Sequence, residues 1–180
     1  MDSNFIGDLS EINSGTISIN NNSFNVPYNT TAFAYNFLAS YSIAITFGVD
    51  SSAVQNVLNQ FELPEGRGDY LNINSTIVIN DSYNANLESM ISGISQLGYM
   101  NKKEGRNILV LGDMLELGDR SVYNHKKLGR HINELSFIDL VCGYGDLIPD
   151  TLDSITNSKI TKKYFNNQNL LVEYLKEYIL

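Results

Sequence analysis

"NILVLGDMLELGDRSVYNHKKLGRHINEL", residues 107–135, reads as three pieces in succession. "NILVLGD" is a short branched-apolar run, the composition of a strand covered on both faces. "GDMLELG" is a glycine-bounded loop, and "VYNHKKLGRHINEL" is an amphipathic helix. The same order recurs on either side. "STIVIND" (75–81) precedes the helical "LESMISGISQLGYM" (87–100); "FIDLVCG" (137–143) precedes "DLIPDTLDSI" (146–155); and "ITKKYF" (160–165) precedes "NQNLLVEYLKEYIL" (167–180). Four strand-helix units in a row predict an α/β domain, a mostly parallel sheet with helices on its faces and strands that include 77–80, 108–111 and 138–141. Antiparallel hairpins in that region would end the functional reading given below. Ligands of such sheets bind at the carboxyl ends of the strands, so Asp81, Asp113 and Gly143 are expected to face one crevice.

Upstream the pattern differs. In residues 5–26 the stretch "TISINNNSFNV" joins two brief apolar segments through an asparagine run, the signature of a hairpin. From Thr31 to Phe47 the residues Ala34, Phe37, Leu38, Tyr41, Ala44 and Ile45 recur at three- and four-residue spacing, which predicts a helix stopped by Gly48. "VDSSAVQNVLNQF" predicts a second helix, capped by Asp50 or Ser51, with Ala53, Val54, Val57, Leu58 and Phe61 turned inward. "LPEGRGDY" then packs one proline and two glycines into a few residues, and a domain boundary is expected near 62–68.

Composition narrows the function. Of the 180 residues 43% are hydrophobic and 18% charged, a globular balance. A net charge of -8, with twelve Lys and Arg in no stripe, disfavours nucleic acid as a partner. Cys142 is the single cysteine, so an internal disulfide and a cysteine-built zinc site are excluded, and its apolar neighbours predict a core thiol. No basic-then-apolar leader opens the sequence and no apolar run reaches about 20 residues, so a cytoplasmic location without membrane insertion is expected.

Two turns carry chemistry. In "NDSYNAN" the Asp81 carboxylate is able to accept both hydroxyls of a ribose, Asn84 and Asn86 both donate and accept, and the Tyr83 ring is able to cover a base. The alternative is that Asp81 and Ser82 cap the following helix while Asn84 and Asn86 shape the turn. "GDMLELG" holds Asp113 and Glu116, suited to an amine or metal, or to supplying negative charge near a helix start. His125 and His131 lie six apart, not the three or four of a helical metal pair, and a surface or packing role is expected. "GYG" at 143–145 lacks the rest of a dinucleotide fingerprint, and no G-x-x-x-x-G-K-[ST] occurs in the sequence, so the cradle for the β- and γ-phosphates of ATP is absent from it.

"DSYNAN" at 81–86, "LVLGDMLELG" at 109–118 with "HKKLG" at 125–129, and "EGRGDY" at 65–70 together resemble the Mur ligases, in particular the branch that adds D-alanyl-D-alanine. The resemblance implies a Rossmann-like C-terminal domain over 70–180, incomplete at its end because the family's K-G-S-R loop is missing. It implies a hinge at 63–69, and at 1–62 the tail of a P-loop ATPase-type central domain. "AFAYNFLAS" is similar to the central-domain motif H-N-x-x-N-x-L-A-A, with Asn36 in place of the second Asn beside adenine but Ala32 and Phe33 replacing the His-Asn pair. It further implies that Arg67, Asp81, Tyr83, Asn84 and Asn86 surround the nucleotide. Asp113 and Glu116 are the candidates for contacting the dipeptide, with no catalytic residue assigned and no metal held by these residues. The implied reaction is ATP-driven amide formation with Mg2+, between UDP-MurNAc-tripeptide and D-alanyl-D-alanine, in peptidoglycan precursor synthesis. A separate P-loop-bearing chain or segment is implied as a partner, and the sequence by itself is expected to be inactive. Two alternatives stand beside it: another ligase of the superfamily, of folate-polyglutamate or cyanophycin type, and a non-catalytic module derived from such a ligase.

Overall fold

The computed structural model describes residues 5–99 and 105–179, and the chain divides into two units, Met1–Leu63 and Pro64–Leu180. Met100 and Leu180, placed in helices from the sequence, lie outside the described residues.

In the first unit β1 (Gly7–Asp8), β2 (Thr16–Ile19) and β3 (Asn22–Asn25) form an antiparallel sheet in that order. β2 and β3 are joined by the two residues Asn20 and Asn21, and Asn20 takes the left-handed backbone (φ 53°) that asparagine tolerates better than most residues. α1 (Thr31–Thr46) starts at Thr30, whose side chain accepts the Phe33 N–H, and α2 (Ser51–Leu58) starts at Asp50, which accepts from Ser52. Ile17, Ile19, Phe24, Ala34, Phe37, Tyr41 and Leu58 form the core. The inward face expected for α2 is only partly observed. Leu58 is buried and Val54 partly so, but Val57 is 65% exposed, and Phe61 lies beyond the helix end, edge-on to Tyr28 and Phe33.

The second unit holds β4 (Asp69–Ile73), β5 (Thr76–Asn80), α3 (Leu87–Tyr99), β6 (Ile108–Leu111), α4 (Ser121–Asn133), β7 (Leu140–Tyr144), α5 (Ile148–Asp153), β8 (Thr161–Phe165) and α6 (Gln168–Ile179). The strands β6, β7 and β8 pair in parallel in that order. β7 runs through the middle, and its residues alternate between two cores. Val141 joins Leu111, Leu128, Ile132, Ile148 and Leu152 on one face, while Leu140 and Cys142 join Leu171 of α6 on the other. Both faces are thus covered by helices, which explains why the strand reads as an unbroken apolar run. Burial pushes the Cys142 thiol up to about 11, consistent with a core residue.

The strand at 77–80 corrects the sequence expectation. β5 pairs antiparallel with β4, in a two-stranded sheet separate from β6–β8. The signal was in the sequence: Asn74 and Ser75 form a two-residue connection, with Asn74 left-handed (φ 54°), and "DYLNI" before it is the returning strand. β7 also starts two residues later than expected and continues to Tyr144.

α4 and α5 approach closely at Gly129, where a Cβ would overlap the Thr151 carbonyl and lie 2.7 Å from the Ser154 Cβ. Gly129→Ala is therefore expected to destabilise the second unit by about 1–3 kcal/mol despite alanine's better helix propensity. Chemical denaturation of the two proteins checks this, and an unchanged or raised midpoint would contradict it.

Candidate functional site

The residues before β4 fold back onto the turn after β5. Gly66 and Gly68 both take positive φ (78° and 84°), and Asp69 accepts the Gly66 N–H at 2.5 Å. Two backbone bonds then join the segments: Tyr83 N–H to the Gly66 carbonyl at 2.9 Å, and Gly68 N–H to the Asn80 carbonyl at 2.8 Å. Arg67, between the glycines, places its Cζ 3.9 Å over the Tyr83 ring. Arg67, Asp81 and Tyr83, nominated from different parts of the sequence, are thereby brought together, with Tyr83 66% exposed.

Capping in this turn is done by Asn86, not Asp81. The Asn86 side chain accepts the Ser89 N–H at 2.9 Å and its own N–H donates to the Ser89 hydroxyl, a reciprocal cap for α3. Ser82 donates to the Asn80 side chain, and Asn84 accepts the adjacent Ala85 N–H. The Asp81 carboxylate accepts no hydrogen bond from a described residue. It leans toward α3, one oxygen 3.1 Å from where a Cβ on Gly93 would stand. Desolvation raises its pKa, the Arg67 charge works against this and the Asp69 charge adds to it. The side chain is exposed overall, so its carboxylate is open to solvent beside the Arg67 charge.

The second turn is built differently. One Asp113 carboxylate oxygen accepts the Asp146 N–H at 2.8 Å, and the other accepts Leu147 and Ile148 N–H at 3.0 and 2.8 Å. Asp113 thus ties the end of β6 to the turn between β7 and α5. Its negative charge does sit at a helix start, but of α5 and not of the helix that follows it in sequence. Gly145 (φ 132°) leaves no room for a Cβ beside this carboxylate. His125, fully buried on α4, donates from Nδ1 to the Ser121 carbonyl at 2.8 Å and accepts the Met114 N–H at Nε2, 3.1 Å. Since Nε2 accepts, the ring is neutral, and its 3.9 Å approach to Asp113 is not an ion pair. Between these fixed points Leu115 and Glu116 stand exposed, Glu116 in left-handed backbone (φ 61°).

The expectation that Asp81, Asp113 and Gly143 share one crevice is corrected in part. Gly143 lies within β7 against Ile148 and Leu152, Asp113 stands in the loop after the neighbouring parallel strand β6, and Asp81 follows β5 of the separate hairpin. Asn36 lies exposed on α1 of the first unit. The structural part of His125 was not apparent from its spacing to His131; its position four residues after Ser121 on the buried face of α4 was the available signal. Among the described residues no group of three or more His, Cys, Asp or Glu side chains is placed to hold a metal ion.

A family model described as "Mur ligase, glutamate ligase domain" matches residues 66–177. A UDP-N-acetylmuramoyl-tripeptide--D-alanyl-D-alanine ligase of Haemophilus influenzae is 30% identical over 152 residues, 83% of this chain and 31% of that protein. The namesake from Buchnera aphidicola is 39% identical over 104 residues, 58% of this chain and 21% of that protein. The chain thus spans about a third or less of the length of these curated relatives. Among solved structures, MurF from Acinetobacter baumannii superposes with a TM-score of 0.77 at 23% identity, over 98% of this chain and 38% of that one. A MurF ligase from Thermotoga maritima in complex with ADP gives 0.67 at 24% identity, over 91% and 37%. These two likenesses establish the fold.

The Asp81 environment makes a prediction about pH. Its folded-state pKa is raised, so the folded protein binds the proton more tightly than the unfolded chain, and stability falls as pH rises from the ordinary carboxylate value through the folded pKa. Above that window the ionised carboxylate is a standing cost. Asp81→Asn is expected to raise the melting temperature at pH 7 and to change it little at about pH 3.5, below both pKa values. Calorimetry at the two pH values checks this; a lower melting temperature at pH 7 would show that the carboxylate has a stabilising partner.

Proposed function

Because the chain belongs to the Mur ligase family, shown by the family match over 66–177, we propose that it is the hinge and C-terminal part of an ATP-dependent D-alanyl-D-alanine-adding ligase. Residues 1–62 are the tail of its central domain, residues 63–69 the hinge, and residues 70–180 the C-terminal domain. The observation that carries the nucleotide side is the unbonded Asp81 carboxylate beside the Arg67 guanidinium. A carboxylate with free lone pairs suits two ribose hydroxyls, and a guanidinium with unpaired donors suits a ribose oxygen or phosphate.

ATP supplies the phosphoryl group that activates the terminal carboxylate of UDP-MurNAc-tripeptide, and the amine of D-alanyl-D-alanine then displaces phosphate to form the amide. This chain's residues orient the reactants. Asp81 and Arg67 grip the nucleotide from the hinge side, so that domain closure and nucleotide binding are coupled. Tyr83 and Asn84 lie around the base and ribose, and Asn36 is the first unit's own candidate for an adenine contact. Asn86 takes part by fixing the start of α3. Glu116 meets the dipeptide, and Asp113 serves it by holding the loop. The groups around the γ-phosphate, and the ligands of Mg2+, belong to a P-loop-bearing segment or partner, since the sequence contains no Walker motif. The work place of such a ligase is the cytoplasm, in keeping with the lack of any described helix long and apolar enough to cross a membrane. The names of the relatives favour this branch over the folate-polyglutamate and cyanophycin types.

In a complete ligase carrying this segment, Asp81→Ala is expected to weaken ATP binding by roughly ten- to a hundredfold, the loss of about 1.5–3 kcal/mol in charged hydrogen bonds. Binding of a 2′,3′-dideoxy nucleotide should change much less. Equal losses for both nucleotides, measured by calorimetric titration, would remove Asp81 from the ribose. The 180-residue chain alone is expected to show no ATP hydrolysis and no ligation with ATP, magnesium, tripeptide precursor and dipeptide. Turnover approaching about 1 per second would reveal a phosphate site within it and contradict the proposal.

A further inference from the structure

The loop that carries Arg67 is fixed on both sides. Gly66 and Gly68 are each bound by a backbone hydrogen bond to the 80–83 turn, and a Cβ on Gly66 would stand 3.1 Å from the Tyr83 nitrogen. Arg67 forms no salt bridge and donates no side-chain hydrogen bond to a described residue. Its guanidinium rests on the Tyr83 ring, with Cζ 3.9 Å from the centroid, and its charge is felt by the Asp81 carboxylate without a direct ion pair. We propose that Tyr83 is a positioning residue that acts through Arg67: its ring holds the guanidinium at the hinge, donors unpaired, ready for the anionic phosphate groups of a nucleotide. This rests on the reading of the 81–86 turn as nucleotide-contacting.

The physical case is one of pre-ordering. A solvent-exposed arginine has many rotamers, and fixing them when a ligand arrives weakens binding. The ring face selects one placement beforehand through cation–π attraction and apolar contact, without using any of the five N–H donors. The same contact occupies one face of the ring, so a base stacking there would have to displace Arg67. The Tyr83 hydroxyl has no part in this. Phenylalanine therefore preserves the role, and leucine, of similar bulk without a π face, abolishes it.

The test uses the 180-residue chain and ATP, followed by NMR, with Tyr83→Phe, Tyr83→Leu, Arg67→Met and the double variant Arg67→Met/Tyr83→Leu. Tyr83 is exposed, so the amide spectrum of the fold is expected to survive each change. In the wild type and Tyr83→Phe, the Arg67 side-chain protons are displaced upfield by the ring, and in Tyr83→Leu they are not. Tyr83→Leu and Arg67→Met each weaken ATP binding by about three- to tenfold, and the double variant is no weaker than either alone within about twofold. Tyr83→Phe stays within about twofold of wild type. Losses that multiply in the double variant, a Tyr83→Phe loss equal to that of leucine, or Arg67 protons unshifted in the wild type would each overturn the proposal. If Arg67→Met weakens binding and Tyr83→Leu does not, the positioning role fails while the nucleotide reading stands. If Arg67→Met has no effect, or the wild type binds no ATP at about 20 mM, far above the roughly millimolar constant of a partial site, the nucleotide reading fails and the proposal with it.

Discussion

One carboxylate organises the carboxyl edge of the parallel sheet. Asp113 accepts three successive backbone N–H groups, from Asp146, Leu147 and Ile148, and so joins the end of β6 to the turn that follows β7. Hydrogen bonds to an ionised acceptor are about twice as strong as neutral ones, and here three converge on one side chain that is 15% exposed. The rest of the turn follows from it. Gly145 must be glycine because a side chain would occupy the carboxylate's place, and Met114, next in sequence, is buried completely and donates its N–H to His125. Leu115 and Glu116 project from this frame into solvent.

The turn at 81–86 contrasts with this. Its backbone is tied by Gly66 and Gly68, yet neither Asp81 nor the neighbouring Arg67, both exposed, hydrogen-bonds through its side chain to a described residue, and Arg67 rests on the Tyr83 ring. Both side chains are exposed to solvent, so it is the backbone of this turn and not its charges that the fold holds in place. One turn is tied together through a side chain, Asp113, and the other through backbone bonds alone.

Much of this was legible in the sequence. β7 was plain because a strand covered on both faces gives a continuous apolar run, β6 and the largely exposed β8 because they fall in a regular strand-helix alternation, and α1 because its spacing is helical. The β4–β5 hairpin was obscured, since "DYLNI" follows a glycine-rich turn and only the Asn74-Ser75 pair marks the reversal. Asp113 was found as a residue but not as a strut, because its partners lie 33 to 35 positions downstream. The bond from Met114 to His125 likewise required the loop to fold back over α4. The cap of α3 is Asn86 and not the Asp81 or Ser82 offered from the sequence, although Asn-x-x-Ser at 86–89 was the available signal.

The central claim is that the 81–86 turn with hinge Arg67 is where the nucleotide meets this chain. Hydrogen exchange of a complete Mur ligase carrying this segment, with and without ATP, tests it most directly. The account predicts that ATP slows exchange at 66–69 and 81–86, while 112–118, already held by Asp113 and His125, changes little until dipeptide is added. Slowing at 112–118 on ATP alone, with 81–86 unchanged, would contradict it.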